Sequence, residues 1–244
     1  MTNPRNIGCA MKEIKHLPYK VDERSNRHHF YERLWKHRAL ELLTRHTEVR
    51  GLDVLDYGCG RGEALELFGA RGAKVLGVDP DPICVSLASK FGRAELLNGN
   101  DPLAEFYPGD FDVVIALHVL EHVENPKETL TALGRLSRKF ILVAVPNLRK
   151  LGALFKRSVD LDTINSGHLQ GWDHWHFRNL AERHCGLEIV DWIADATILP
   201  GLSQFVVRTF GNRAAIRLET GLFRCWFPFH CISVIALMQP MKRI

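Results

Sequence analysis

The sequence predicts a doubly wound α/β fold, and three observations carry that prediction. Short runs rich in Val, Ile and Leu recur without strict polar alternation: DVLDY at 53–57, KVLGVD at 74–79, FDVVIAL at 111–117 and FILVAV at 140–145. Such runs suit strands covered on both faces, as in a parallel sheet. Amphipathic segments such as EALELFGARG and PKETLTALGRLSRK separate them, and these are long enough to be crossover helices. A glycine-rich turn, GCGRG at 58–62, directly follows the first run, where ligands meet the carboxyl edge of such a sheet.

The elements follow in order. Residues 1–22 carry mixed charge and early prolines and read as a loose arm. From Arg24 to about His46, Phe30, Leu34, Ala39, Leu40 and Leu43 recur near helical spacing between Arg and Lys. This predicts an amphipathic helix laid against the domain, so that 1–48 form an arm and helix and 49–244 the main domain. Between the strands already named lies AELL at 94–97, a third short strand, and Pro126 suits the first turn of the helix after 111–117. Beyond Pro146 the alternation loosens. Residues 147–176 hold a basic patch (Arg149, Lys150, Lys156, Arg157) and then HLQGWDHWHF, read as a helix and loop inserted above the sheet. FRNLAERHCG predicts a helix ending near Gly186, LEIVDWI (187–193) a strand, 212–224 a helix and 231–238 a last strand.

Length and composition narrow the function classes. A chain of 244 residues with 46% hydrophobic and 25% charged residues buries roughly three quarters of its unfolded surface, enough for one sizeable core and against a disordered reading. Basic character is confined to residues 1–50, with 11 Lys and Arg against 6 Asp and Glu. That reads as a solvated helix face, not as the aromatic-interleaved stripe of a nucleic-acid binder. The six cysteines have irregular spacing and form no CxxC pair, and the amino terminus lacks an apolar leader core; the expectation is a reduced, cytoplasmic protein. The longest strongly apolar stretch, near Cys231–Met238, is far shorter than the roughly 20 residues of a spanning helix. Weak surface association remains open through the basic amino-terminal helix.

The sharpest motif is VLDYGCGRGEAL at 54–65. A strand delivers Asp56, Gly58, Gly60 and Gly62 make the turn, and Glu63 begins a helix. Glycines there let a ligand lie against the main chain. The second strand ends in GVDP, and the Asp79 carboxylate seventeen residues after Gly62 can accept both hydroxyls of a ribose. The dinucleotide pattern fails because Glu63 stands where its last glycine would be. A carboxylate at that helix start also repels a pyrophosphate.

This arrangement resembles the class I S-adenosyl-L-methionine-dependent methyltransferases, especially the branch acting on quinones and other small molecules. FDVVIALHVLEHVENP looks like that family's fourth strand and following turn. The resemblance covers about residues 50–146. It implies a Rossmann-like, seven-stranded, mostly parallel sheet with helices on both faces and an antiparallel last strand inserted beside its neighbours. It also implies cofactor stations: Asp56, Gly58, Cys59, Gly60 and Gly62 at the methionine part, Asp79 and Pro80 at the ribose, Asn100 or Asp101 at the adenine, and Leu117 at the end of the fourth strand. A bland reading accompanies each: Asp56 capping a turn, Asp79 capping a helix, Asn100 or Asp101 closing an Asx turn.

Methyl transfer from a sulfonium needs in-line positioning and exclusion of water, with a general base only where the acceptor must lose a proton. The candidates are His118, Glu121 and His122, just past the fourth strand, and histidine titrates near neutrality. The structural alternative has them hold the turn, with His118 touching the cofactor through its backbone. A second cluster, His168, Trp172, His174 and His176 with Asp173 and Trp175, is expected to wall the acceptor pocket; the alternative is that Trp172, Trp175 and Phe177 anchor the insert. No spacing that fixes a tetrahedral metal site is present, so no metal is expected. The expected partner is a small or lipid-like acceptor, methylated at oxygen. Two rivals remain, a cofactor-binding sensor without turnover and an RNA methyltransferase. The latter is disfavoured, since neither an asparagine-proline-proline-aromatic tetrad nor an RNA-binding module is found.

Overall fold

The computed structural model describes residues 27–97, 103, 106–152 and 165–241. The arm at 1–22, Asn100, Asp101, Lys156 and Arg157 lie outside them.

Helix α1 (Arg27–Thr44) leads into the alternation β1 (Asp53–Tyr57), α2 (Glu63–Gly69), β2 (Lys74–Asp79), α3 (Pro82–Ala88), β3 (Arg93–Leu96), β4 (Phe111–Leu117), α4 (Pro126–Leu136) and β5 (Ser137–Pro146). Then come α5 (His174–Asn179), continued by a wider π-helical turn to His184, β6 (Leu187–Ile193), α6 (Leu202–Thr220), α7 (Leu222–Trp226) and β7 (Ser233–Pro240). The seven strands form one sheet in the order β3-β2-β1-β4-β5-β7-β6. β1 to β5 pair in parallel, and β7 runs antiparallel to both β5 and β6. The order reverses at β1, whose neighbours are β2 and β4. That makes its carboxyl end the switch point where a crevice opens.

Each face of the sheet carries its own core. On one, Leu55, Val114, Ala116 and Val143 pack against Leu130 and Leu133 of α4 and Phe177 of α5. On the other, Val54, Val113, Ile115 and Leu237 pack against Leu40, Leu42 and Leu43 of α1 and Phe68 of α2. Full burial of such side chains contributes about 1.5–3 kcal/mol each before entropy, which is why the strand runs show no polar alternation. α1 therefore has a tertiary reason to be helical: its apolar stripe covers β5, β6 and β7.

Several boundaries move relative to the sequence reading. Asp79 ends β2, and the cap of α3 is Asp81, whose carboxylate accepts from the Ile83 N–H at 2.8 Å. The fifth strand extends to 137–146 and the last shifts to 233–240. The helix expected at 212–224 is two helices, α6 starting ten residues earlier and breaking its helical backbone at Gly211 (φ 80°). Asn125 caps α4 with Pro126 in its first turn. Among the described cysteines, Cys59, Cys84, Cys185 and Cys231 are free thiols. Cys225 is disulfide-bonded, which departs from a wholly reduced chain.

Candidate active site

The crevice is built from the ends of β1, β2 and β4. After Tyr57 the chain turns through Gly58, Gly60 and Gly62, all at positive φ. Gly62 is forced: a Cβ there would sit 2.6 Å from the Cα of Ala88, so α2 and α3 can approach only over a bare backbone. Gly60, at φ +52°, faces open space instead, with no atom within 4 Å of where its Cβ would be. The main chain there is a floor for a ligand. The Cys59 thiol in this turn is pushed up to about 12, mainly by burial, and is inert as a nucleophile.

Asp79 fastens this turn to β2. One carboxylate oxygen accepts from the Gly60 N–H at 2.8 Å and the other from the Asp81 N–H at 2.9 Å. Each oxygen keeps a second lone pair, so two further donors, such as vicinal hydroxyls, fit without displacing either bond. Pro80 follows, exposed. Asp56, paired with Gly77 of β2 and Ile115 of β4 in the middle of the sheet, is buried, and its Oδ2 has no hydrogen-bond partner. Burial pushes its carboxyl up to about 7, the Asp79 charge adds to this, and Lys36 opposes it. An orphaned buried carboxylate beside an open glycine floor suits a cationic, ribose-bearing ligand. Together with Glu63 at the start of α2, it excludes a diphosphate on charge. Glu63 is itself ion-paired with Lys36 of α1.

The other wall begins where β4 ends at the buried Leu117. His118 follows with φ +59°, the only described non-glycine residue at positive φ, a conformation held only where the surroundings impose it. Its N–H donates to the Ala144 carbonyl at 2.7 Å. Nε2 lies 3.1 Å from Ser233 Oγ of β7, and the ring stacks on Trp35 of α1 with centroids 4.4 Å apart. Nδ1 stands 3.1 Å from Glu121 Oε1, an ion-pair distance outside hydrogen-bond geometry, so both Glu121 oxygens lack a hydrogen-bond partner in a fully buried carboxylate. Asp195 is buried nearby. Three backbone N–H groups (Ala196, Ile232, Ser233) converge on its Oδ1 and its Oδ2 is unpartnered. Burial raises its carboxyl, with the charge of His118 opposing.

His122 is exposed, and its Nδ1 donates to the Gly167 carbonyl at 2.9 Å. In the neutral ring that bond fixes the tautomer and leaves the lone pair on Nε2. His168 packs edge-on to His122 at 4.8 Å between centroids, and burial lowers its pKa. Glu121, His122 and His168 thus each bring one donor atom within 4.8 Å of the others, a donor set suited to a divalent cation.

The remaining acceptor-side candidates separate. Trp172 is buried in the main core against Phe177. His174 is wedged among Trp175, Trp192 and Phe229, and burial lowers it to about 4. His176 is exposed and pairs with Asp173, the cap of α5. Of the four, only His168 is brought against His118–His122. Trp35, Asp195 and Ser233 escaped sequence reasoning; they come from three distant segments, and no spacing ties them to His118.

Known proteins resemble this chain. A ubiquinone biosynthesis O-methyltransferase from Methylococcus capsulatus is 31% identical over 105 residues, 41% of this chain and 44% of that protein. The chain thus matches less than half the length of this relative. The enzyme of the same name from Xanthomonas euvesicatoria is 27% identical over 188 residues, 74% of this chain and 77% of that one. The fold matches magnesium protoporphyrin IX methyltransferase from Synechocystis PCC 6803, solved with bound SAH (TM-score 0.56, 17% identity, 88% of this chain and 84% of that one). It also matches an Archaeoglobus fulgidus SAM-dependent methyltransferase (TM-score 0.56, 19% identity, 88% and 99%). A methyltransferase-domain family matches residues 27–192, a span from α1 nearly to the end of β6 that contains the glycine turn, both buried aspartates and the turn after β4; the chain belongs to that family.

Proposed function

We propose that this protein transfers the methyl group of S-adenosyl-L-methionine to an oxygen of a small or lipid-like acceptor by direct displacement. The observation that carries the reading is the open floor over Gly60 flanked by two buried carboxylates, Asp56 and Asp79. Bound there, the cofactor supplies an electrophilic methyl on a sulfonium. Asp79 accepts the ribose hydroxyls, Asp56 faces the cationic methionine end, and Gly60 presents bare backbone. Asn100 and Asp101 remain proposals for the adenine. The acceptor side is the wall past β4, where His122 Nε2 is free to take a proton from a hydroxyl. The buried Glu121 carboxylate and Trp35 hold His118 between them, and His168 borders the same space. The names of the ubiquinone-pathway relatives support oxygen as the acceptor atom. A cytoplasmic location belongs to the same proposal; no described helix is long and apolar enough to cross a membrane.

Isothermal titration of the purified protein with S-adenosylhomocysteine tests the reading, and absence of binding overturns it. Asp79→Ala, with its fold verified by circular dichroism, removes an ionised acceptor. Affinity is expected to fall roughly 10- to 100-fold, as for about 1.5–3 kcal/mol of charged hydrogen bonding. The grouping of Glu121, His122 and His168 favours a second version, in which a divalent ion at these donors lowers the pKa of the acceptor hydroxyl. Loss of turnover on chelation, restored by added cation, selects that version. Full turnover after chelation selects the metal-free one.

A further inference from the structure

Arg38, midway along α1, is 4% exposed, the only lysine or arginine buried among the described residues. One of its guanidinium nitrogens, Nη1, donates to Glu41 Oε2 at 2.6 Å. The other two, Nε and Nη2, are buried and have no hydrogen-bond partner. These two carry the parallel N–H pair along one edge of the guanidinium, the fork that grips a carboxylate or phosphate with two bonds. A buried charge with idle donors is costly, and an apolar side chain in its place is often no less stable. Packing therefore gives no reason to keep an arginine here, whereas an oxyanion on the fork does.

The surroundings of Arg38 add positive charge. Glu41 and Arg45 follow it along the same face of α1, and Arg45 Nη2 donates to Glu41 Oε1 at 2.7 Å. Both oxygens of that carboxylate are thus taken by arginine. Arg224 of α7 comes to the same place from another element. Its Nη1 reaches the Ala194 carbonyl, just past β6, at 3.5 Å, and it makes no ion pair among the described residues. Burial lowers its pKa to about 10, the charge of Arg38 is the next cause, Glu41 opposes, Arg45 lowers it further, and Asp195 is the weakest influence. Three guanidiniums therefore share one carboxylate at close range. β6 is the edge strand, four strand spacings from β1, or about 19 Å, which sets this cluster apart from the glycine turn.

We propose that Arg38, Arg45 and Arg224 form a binding site for a small free oxyanion, phosphate or a phosphate monoester, at the seam of α1, α7 and the end of β6. The Nε–Nη2 edge of Arg38 holds two of its oxygens, Arg224 meets a third from the facing element, and Arg45 adds charge at the outer side. A dianion balances the two positive charges that Glu41 leaves unmatched. A phosphodiester carries only one charge, and its two ester arms cannot follow to the depth of the buried fork. Once bound, the anion clamps α1 to α7. The site does not depend on the cofactor reading above.

The experiment is calorimetric titration of the full chain with sodium phosphate near pH 8, at an ionic strength held constant with sodium chloride so that screening alone gives no signal. Expected is one-site binding, tighter than that of acetate or dimethyl phosphate by about tenfold or more. The melting temperature should climb with phosphate and not with chloride. Arg38→Met removes the fork without leaving a buried charge; the variant should keep its melting temperature and bind phosphate about 100-fold more weakly. Arg38→Lys, which keeps the charge but has no fork, should lose about tenfold. Arg224→Gln, at a half-buried position, should also lose about tenfold with affinity for S-adenosylhomocysteine unchanged, and it decides the matter if the Arg38 variants do not fold. Absence of phosphate binding overturns the proposal, as does affinity indifferent to Arg38→Met or to Arg224→Gln. So does phosphate that S-adenosylhomocysteine displaces, since the anion then lies in the crevice, and so does dimethyl phosphate binding as tightly as phosphate. A parent protein that binds phosphate but not S-adenosylhomocysteine refutes the cofactor reading and leaves the oxyanion site standing.

Discussion

Asp56 shows how far the site departs from what stability alone would select. An acid whose folded pKa exceeds its unfolded value holds its proton more tightly when folded, so the stability it contributes is present at low pH and lost as pH rises. For Asp56 that window runs from 3.8 to about 7. Above it the protein keeps an ionised carboxylate in a buried place with one oxygen unpartnered, a cost that a cationic ligand offsets. Asp56→Asn is therefore expected to raise the melting temperature near pH 8 by several degrees and to raise it distinctly less near pH 5, where only part of that window has been crossed, while weakening cofactor binding. Thermal melts at the two pH values, paired with calorimetry, check both halves. In the parent, affinity for S-adenosylhomocysteine should tighten as pH rises from about 6 to about 7.5, and Asp56→Asn should flatten that rise. The sequence disclosed Asp56 and Asp79 because each stands where a strand ends in a turn, a local pattern. It did not disclose Ser233 or Asp195, whose places follow from strands pairing across the sheet.

At the scale of elements, α1 does more than cover apolar strands. Trp35 stacks on His118, Lys36 pairs with Glu63 at the start of α2, and Arg33 pairs with Glu66 one turn further on. The helix thereby joins the cofactor side of the crevice to the acceptor side. Amphipathic spacing placed this helix against the domain, yet that spacing says only which face is apolar, and Trp35 lies at its border. Trp35→Ala removes a ring contact of about 0.5–1.5 kcal/mol. Because it acts through His118, its effect should fall on kcat with a smaller change in affinity for S-adenosylhomocysteine, and Trp35→Phe should restore most of the rate. Steady-state kinetics beside calorimetry separate this from general loosening, in which affinity and rate fall together. The boundaries of α6 were less legible: its exposed half has no core-facing periodicity to read, and Gly211 breaks the helix where composition alone continues it.

The whole molecule was legible in its first half and only partly in its second, for a physical reason. Up to Pro146 β1, β2 and β4 are each followed by a helix that packs on the sheet, so local runs and global topology repeat the same information. Past that point the chain builds the rim of the site, where packing partners are remote in sequence, and histidines at close spacing part company: His174 goes to the interior, His176 to solvent and His168 to His122. The placement of β7 between β5 and β6 also governs how the molecule comes into being. A ribosome emits β6 some forty residues before the strand that ties it to the sheet, an interval of roughly 2–8 seconds at ordinary elongation speeds. Through that interval β5 presents an unzipped edge and α1 waits over an unfinished floor, so the nascent chain most needs a chaperone while α6 and α7 are being synthesised.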